Sequence, residues 1–391
     1  MCRKINKLIF LFSFFLLFSF SYSSSIFPKI NSNSIWVKAS SILDTASVDS
    51  IISFSLENNI DKLFYQIRSR GDALYNSELV PRHEKLDSIF DPLGYVLNQT
   101  KNMDIEVHAW FNTYILWSSE NPPLDSRHLY FNCSDCFEVD LNGKSDYSIS
   151  LNQFHSSDWE GLFLSPLNPK VNDYLLDVIL ELTNNYKIDG LHLDYVRYQD
   201  NFYGFNKYGL SEFEQNFSIN PIDIKRGIIS PRFGYEQSYV DSMKNKWNEF
   251  RMGKITEFIR AVRYSTMKDS LDLKLSVAVK PDIFEAKYRW YQDWITWIDE
   301  DIVDFCVVMN YYTNFNKFNS INSMISNVVK NKDKINLGIS VYNQNQSFVS
   351  NKIMYSRLEG YENFTLFPYD INKDTTGWFK PIYNTLEFYI E

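Results

Sequence analysis

Two carboxyl groups that face one groove are the minimum needed to cleave a glycosidic bond, because one donates a proton while the other acts as an ionised carboxylate. Asp194 is the first candidate for such a residue. It ends a segment that begins at Ile188 and in which apolar and polar residues alternate. Alternation with a period of two predicts a strand, with Leu191 and Leu193 on one face and His192 and Asp194 on the other.

A second carboxyl group is required near Asp194, and Asp282 is the first candidate. It follows the predicted strand Lys274–Lys280, and carboxyl groups on neighbouring strands can lie within about 5 to 10 Å of each other, the range that glycosidases use. Glu285 and Asp72 are alternatives for the same role. Asp282 also has a structural interpretation of equal weight, because it can cap the helix predicted after it.

Asp194 is expected in its ionised form. His192 lies two residues earlier on the same face, and Arg197 or Arg68 can supply the positive charge that stabilises a carboxylate. The structural alternative is an Asp194 that caps a turn or pairs with Arg197. Other polar residues at strand ends are expected to shape the substrate subsite: Arg68, Asp72, His108, Asn112, His192, Arg197, Asn310 and Tyr312.

The elements that position these residues alternate between short apolar strands and helices. Eight strands are predicted: Ile35–Ala39, Lys62–Ile67, Glu106–Asn112, Gly190–Tyr198, Lys274–Lys280, Val303–Tyr312, Ile335–Tyr342 and Asn363–Tyr369. This order predicts a single (β/α)8 TIM barrel, in which functional residues lie at the C-terminal ends of the strands. Long loops are predicted after strand three (roughly 113–166) and strand four (roughly 199–244), where they can wall a substrate groove.

Composition sets the broad class of the protein. The chain has 391 residues, 45% of them hydrophobic and 17% aromatic, which is enough for one large domain, predicted over residues 34–391. A net charge of -9 argues against a nucleic-acid partner, since there is no basic excess to neutralise phosphates. The aromatic residues suit sugar rings, but an aromatic core explains them equally well.

The N-terminus has the pattern of a secretory signal peptide. Arg3, Lys4 and Lys7 precede an apolar run from Leu8 to Phe20, and a serine-rich segment follows. We predict a signal peptide over residues 1–25, because the apolar run is short for a membrane span. We predict no transmembrane segment in the mature chain, because no later stretch is apolar enough to span a bilayer. The protein is therefore expected to be exported to the periplasm, the cell surface or the medium.

Cys133 and Cys136 form a C-x-x-C pattern in a polar loop. A disulfide in an oxidising compartment is the favoured interpretation, because a zinc site needs more ligands than this pair offers. The sequence contains no H-E-x-x-H, G-x-S-x-G or phosphate-loop pattern. These absences weigh against a zinc-dependent hydrolase and a serine esterase, so we expect no cofactor and assign no metal-binding residues, while the sequence leaves a metal requirement open.

Five segments occur in order along the first half of the chain: Gln66–Tyr75, Phe90–Leu93, Glu106–Asn112, Leu167–Pro169 and Asp189–Tyr198. Together they resemble the bacterial glycosyl-hydrolase-like family 10, a group of exported TIM-barrel proteins distantly similar to the α-amylase clan. The second half matches more loosely, through the segment Val307–Tyr311. The resemblance implies a secreted glycosidase, and members of the family have been linked to bacterial cell-wall glycan strands.

The resemblance also bears on individual residues. In the amylase clan the aspartate of strand four is the nucleophile, and Asp194 matches it, whereas His192 stands where the clan has an arginine. The clan's acid is a glutamate at the end of strand five, which has no match here. Only the role of Asp194 therefore follows from the resemblance.

The sequence predicts an exported, retaining glycoside hydrolase that acts on a poly- or oligosaccharide. Peptidoglycan glycan strands are the leading substrate, and a plant or host glycan comes next. The competing hypothesis is a barrel that binds glycan without cutting it, which the missing family-like acid permits.

Overall fold

The computed structural model of the protein describes residues 30–151, 160–268 and 272–387. Eight parallel strands close into a barrel. The strands are β1 (Ser32–Val37), β2 (Lys62–Arg68), β3 (Glu106–Asn112), β4 (Ile115–Trp117), β5 (Leu162–Phe163), β6 (Gly190–Asp194), β7 (Lys274–Val279), β8 (Phe305–Met309), β9 (Ile335–Ser340) and β10 (Asn363–Phe367), with β4 and β5 forming a separate antiparallel ribbon. The predicted (β/α)8 barrel is confirmed, while the predicted signal peptide over residues 1–25 lies outside the described residues.

Helices follow the barrel strands and cover their outer face. They are α1 (Thr45–Glu57), α2 (Pro92–Thr100), α3 (Leu129–Asn132), α4 (Pro169–Asn185), α5 (Lys207–Phe217), α6 (Pro221–Lys225), α7 (Gln237–Met267), α8 (Ile283–Arg289), α9 (Trp294–Asp299), α10 (Phe315–Val328), α11 (Gln346–Leu358), α12 (Ile371–Thr375) and α13 (Lys380–Glu387). Local sequence sets several of their starts, as where Asn168 caps α4 and Pro169 opens its first turn. Across the described ranges, none of these helices combines the length and apolar character needed to span a bilayer.

The two faces of β6 have the environments that the alternating sequence predicts. Leu191 and Leu193 belong to the large apolar cluster between strands and helices. His192 points into the barrel, where its Nε2 accepts a hydrogen bond from Trp36 Nε1 at 3.2 Å and its Nδ1 lies 2.9 Å from Ser276 Oγ. The barrel interior is therefore filled by side chains, and the space for a ligand lies above it.

The two long connections contain more regular structure than predicted. Residues 113–168 include the β4–β5 ribbon and α3, and residues 199–244, predicted as a loop, include α5, α6 and the start of α7 at Gln237. The loop prediction for 199–244 is wrong for most of that range. The missed signals are Asn206 and the pair Asn220-Pro221, which cap α5 and α6.

The two connections pack against each other around a tight turn. Cys133 and Cys136 are joined by a disulfide in this turn. Between them, the carbonyl oxygen of Asp135 accepts hydrogen bonds from the side-chain amides of Asn168 (2.9 Å) and Asn206 (3.1 Å). The turn thus ties the starts of α4 and α5 together.

Candidate active site

A pocket of about 620 Å³ lies at the C-terminal ends of the barrel strands, within the size range of ligand sites. Its walls come from the ends of β1, β2, β3, β6, β8 and β10 and from the segments that follow β7 and β9. Among the described residues, three carboxylic acids line it: Asp194, Glu160 and Glu285. This is the face of the barrel on which TIM-barrel enzymes carry their chemistry.

Asp194 ends β6, in register with Asn112 on β3, and is only 8% exposed. The next residue, Tyr195, has a φ of 52°, and the backbone N–H of Tyr195 donates to Asp194 Oδ1 at 2.7 Å. Burial raises the pKa of Asp194 to about 6, although this hydrogen bond and the charge of Arg197 oppose the shift. The sequence predicts an ionised Asp194, whereas its burial makes this carboxyl group a weaker acid than an exposed aspartate.

Glu160 reaches the same pocket from the connection after β3, two residues before β5. It forms an ion pair with Arg197, and its Oε1 lies 3.7 Å from Lys280 Nζ. Burial alone would raise the pKa of Glu160, but the charges of Arg197 and Lys280 outweigh it, so that its pKa lies below the usual value. Glu160 is thus the carboxyl group of this pair that remains ionised.

The two cations are themselves held by aromatic rings. The guanidinium of Arg197 lies 4.9 Å from the ring centre of Tyr195, and Lys280 Nζ lies 4.9 Å from that of Trp290. Burial, followed by the charge of Arg197, lowers the pKa of Lys280 to about 8. Both cations that act on Glu160 are therefore packed against aromatic rings.

Aromatic side chains form the floor and rim of the pocket. Trp36 lies at the floor, and Tyr311 and Phe367 stack nearly parallel beside it, with ring centres 5.4 Å apart. Trp290, Tyr312 and Tyr342 stand at the rim. Such surfaces match the apolar faces of sugar rings.

Four of the residues predicted for the site line the pocket, and six do not. Those that line it are Asp194, Asn112, Arg197 and Tyr312. Asn112 is anchored through Nδ2, which donates to the carbonyl oxygen of Ser69 at 2.8 Å. The six others are held elsewhere, each for an identifiable reason.

Asp282 is the N-cap of α8 and does not line the pocket. Its Oδ1 accepts hydrogen bonds from the backbone N–H groups of Phe284 and Glu285, both at 3.1 Å. The structure therefore gives Asp282 the capping role rather than that of the acid. Glu285, the alternative on the same helix, does line the pocket and is exposed.

Arg68 and Asp72 are buried beneath the connection after β2 rather than in the pocket. Arg68 donates to the backbone carbonyl oxygens of Asn112 and Thr113. Asp72 lies 3.5 Å from Arg70 and 4.0 Å from His83. A bridge between Arg68 and Ala73 folds this connection back onto its own strand, which removes both charged groups from the barrel mouth.

His108, His192 and Asn310 have structural partners. His108 lies deeper in the barrel, 3.1 Å from Glu106 at the N-terminal end of β3. His192 is enclosed by Trp36 and Ser276, and burial lowers its pKa. Asn310 donates to Asn322 Oδ1 at 2.8 Å and so ties the end of β8 to α10.

Sequence reasoning missed Glu160 and gave no role to Lys280. Glu160 lies in an irregular connection without a periodic pattern, and its only local signal is the apolar run that begins at Leu162. Lys280 follows β7 directly, so its position at the pocket follows from the strand pattern, whereas its ion pair with Glu160 does not.

The chain is similar in sequence to known glycosyl hydrolases. The family model described as glycosyl hydrolase-like 10 matches residues 33–356. "Glycosyl hydrolase DigH" of Escherichia coli (strain K12) is 25% identical over 146 residues, 34% of this chain and 30% of DigH. "Glycosyl hydrolase YngK" of Bacillus subtilis (strain 168) is 22% identical over 323 residues, 74% of this chain and 54% of YngK. The chain thus spans about half, or less, of the length of these relatives.

Solved structures share the fold at low sequence identity. The glycoside hydrolase domain of PgaB (BpsB) from Bordetella bronchiseptica matches with a TM-score of 0.70 and 11% identity, over 92% of this chain and 99% of that domain. The catalytic domain of beta-amylase from Paenibacillus polymyxa matches with a TM-score of 0.61 and 13% identity, over 91% and 97%. At this level of identity, the likeness shows that these structures share the barrel fold. Because the family model covers residues 33–356, the chain belongs to the glycosyl hydrolase-like 10 family.

Proposed function

We propose that the protein is an exported glycoside hydrolase in which Asp194 is the general acid and Glu160 is the ionised carboxylate. The observation that carries the proposal is the opposite direction of two pKa shifts in one pocket: that of Asp194 is raised to about 6, and that of Glu160 is lowered. Two carboxyl groups whose environments separate their pKa values in this way can divide the acid and base roles between them.

The stereochemistry that we propose is retention. Arg197 pairs with Glu160, and its charge also acts on Asp194, so one guanidinium influences both carboxyl groups. We therefore expect the two carboxyl groups to lie roughly 5 Å apart, as in retaining enzymes; a separation of roughly 6.5 to 9.5 Å would predict inversion instead. Glu160 would bond to the anomeric carbon as the glycosidic C–O bond breaks and Asp194 protonates the departing oxygen. Asp194 would then take a proton from water as the water oxygen bonds to the anomeric carbon and the bond to Glu160 breaks.

Peptidoglycan glycan strands are the substrate that we propose first, with a plant or host glycan as the alternative. Membership of a family linked to cell-wall glycans supports this choice. The signal-like pattern of residues 1–25 supports an exported protein, which could reach such a substrate. The aromatic floor and rim of the pocket suit any pyranose chain.

The experiment compares the wild-type protein with Asp194→Asn and Glu160→Gln on glycan strands labelled at the reducing end. Each substitution keeps the size of the side chain but removes its acid–base chemistry, so product release should fall by about 10²-fold to 10⁴-fold. Asp282→Asn is the matched control, because asparagine caps a helix as well as aspartate does. Loss of activity in Asp282→Asn, together with full activity in Glu160→Gln, would show that Asp282 rather than Glu160 is the second catalytic carboxyl group.

A glycan-binding barrel without hydrolytic activity is the second candidate. The observation that favours it is that Glu160 is already neutralised by two cations, Arg197 and Lys280. In that case the wild-type protein and Asp194→Asn would bind the strands equally and release no labelled product.

A further inference from the structure

The candidate active site continues into a second groove on the same face of the barrel. This groove has a volume of about 250 Å³ and shares two lining residues, Lys38 and Tyr342, with the larger pocket. Its walls come from the segments after β1, β9 and β10. A ligand that fills the pocket can therefore extend past Lys38 and Tyr342 without leaving the surface of the protein.

Tyr342 stands at the junction of the two spaces. Its side chain is 58% exposed, and its ring is perpendicular to that of Phe367, at 86° and 5.9 Å between centres. Phe367 in turn stacks on Tyr311 inside the pocket. The ring of Tyr342 is thus supported by the pocket's aromatic cluster while more than half of it stays open, which suits contact with the face of a sugar ring.

The polar groups of the groove favour uncharged hydroxyl groups over an anion. Ser40 and Lys38 contribute a hydroxyl and an ammonium group. Lys373 is already committed, because its Nζ donates to the carbonyl oxygen of Val341. Asp370 caps α12 by accepting a hydrogen bond from the backbone N–H of Asn372 at 3.0 Å, so its carboxylate occupies the place where a phosphate would otherwise bind.

We propose that this groove binds the sugar units of a glycan chain that continue beyond the bond at Asp194, with Tyr342 as the stacking residue at the junction. The inference rests on the proposed function and adds to it that long chains are preferred to short ones. In this proposal Tyr342 and Lys38 contact the sugar units. Ser40, exposed on the short 3-10 turn Ala39–Ser41, forms part of the groove wall.

The test measures kcat/KM on glycan strands fractionated to a tetrasaccharide and an octasaccharide. The wild-type protein should prefer the octasaccharide, and the ratio of the two kcat/KM values should fall by about tenfold in Tyr342→Ala and in Ser40→Trp. The first variant removes the stacking ring, and the second fills the groove. Tyr264→Ala is the matched control, because Tyr264 lies on α7 outside both spaces and is similarly exposed at 67%; it should leave the ratio unchanged.

Calorimetry of the same two oligosaccharides with Asp194→Asn separates the groove from the chemistry. In one outcome the wild-type protein cleaves neither length, Asp194→Asn binds the octasaccharide more tightly than the tetrasaccharide, and adding Tyr342→Ala removes that difference. This result would support glycan binding in the groove and contradict the hydrolase proposal. If both lengths are cleaved and bound equally, the groove proposal is overturned and the hydrolase stands. If neither is bound nor cleaved, both are wrong for this glycan.

Discussion

Asp194 and Glu160 are carboxylic acids in one pocket whose pKa values are shifted in opposite directions. Asp194 is buried at the end of a barrel strand, and the hydrogen bond from the Tyr195 N–H does not offset the loss of water. The Glu160 side chain is 39% exposed and lies against two cations. The difference comes from placement: burial at a strand end raises the pKa of Asp194, and the charges of Arg197 and Lys280 lower the pKa of Glu160.

The first prediction concerns the pH dependence of activity. Because burial raises the pKa of Asp194 to about 6, the fraction that can donate a proton falls as the pH rises through this value. The lowered pKa of Glu160 keeps its carboxylate ionised well below that pH. We expect kcat/KM to be greatest below a pH of about 6 and to decline above it.

The measurement is kcat/KM for labelled strands between about pH 4 and about pH 9. The wild-type profile should be bell-shaped, with its alkaline limb set by Asp194. A rate that instead rises between pH 6 and pH 8 would mean that Asp194 acts in its ionised form, as the amylase-like role implied.

The second prediction concerns Arg197, the main counterion of Glu160. Arg197→Met keeps much of the side-chain length but removes the charge, so the pKa of Glu160 should rise and the acid limb of the pH profile should move to higher pH. We expect kcat/KM to fall by about tenfold to a hundredfold. Arg260→Met is the control, because Arg260 is 50% exposed and pairs with Glu300 away from the pocket. An unchanged acid limb in Arg197→Met would remove Glu160 from the mechanism.

The third prediction is that Asp194→Asn stabilises the protein at neutral pH. The pKa of Asp194 is raised from 3.8 to about 6 on folding, so the folded state binds the proton more tightly and stability is lost as the pH rises through this interval. Asparagine never ionises, and we expect the free energy of unfolding at pH 7.5 to increase by about 1 to 3 kcal/mol.

Urea denaturation at two pH values tests this sign. The gain from Asp194→Asn should be present at pH 7.5 and should disappear near pH 4, where the wild-type carboxyl group is also neutral. A destabilised Asp194→Asn at pH 7.5 would show that the ionised carboxylate has partners that outweigh its burial.

The sequence carries enough information to predict the barrel and which way its strands face. Leu191 and Leu193 lie under the helices and His192 points inward, as a period of two requires. The same pattern says nothing about depth along the barrel axis. His192 is two residues before Asp194 and, at about 3.3 Å per residue, lies a layer below the pocket; His108 lies deeper still, relative to Asn112.

The remaining errors come from contacts that are distant in sequence. Whether Asp282 caps a helix or reaches a substrate depends on how α8 meets the barrel mouth, and the local sequence fits both. Glu160 belongs to the site because Arg197, 37 residues later, reaches it. No periodic pattern records such a pairing, so it becomes visible only when the connection after β3 is folded over the barrel.

The last prediction concerns Glu138, which links the two long connections. It is fully buried, and its Oε2 accepts a hydrogen bond at 2.7 Å from the backbone N–H of Gly204. Burial raises the pKa of Glu138 from 4.5 to about 7, against the opposing effects of this bond, a bond from Ser165 and the charge of Arg251. The folded state therefore binds this proton more tightly, and stability is lost as the pH rises from 4.5 through about 7.

Glu138→Gln tests this role, because glutamine keeps an acceptor for the Gly204 N–H and never ionises. Relative to the wild-type protein, the variant should gain about 1 to 3 kcal/mol of unfolding free energy between about pH 5 and about pH 8. Urea denaturation in the Asp194→Asn background isolates the effect from that of the pocket acid. If the unfolding free energies of the variant and its parent change equally with pH, titration of the Glu138 carboxyl group does not make stability depend on pH. The neighbouring buried acid Asp146, whose pKa is also raised, then becomes the residue to substitute.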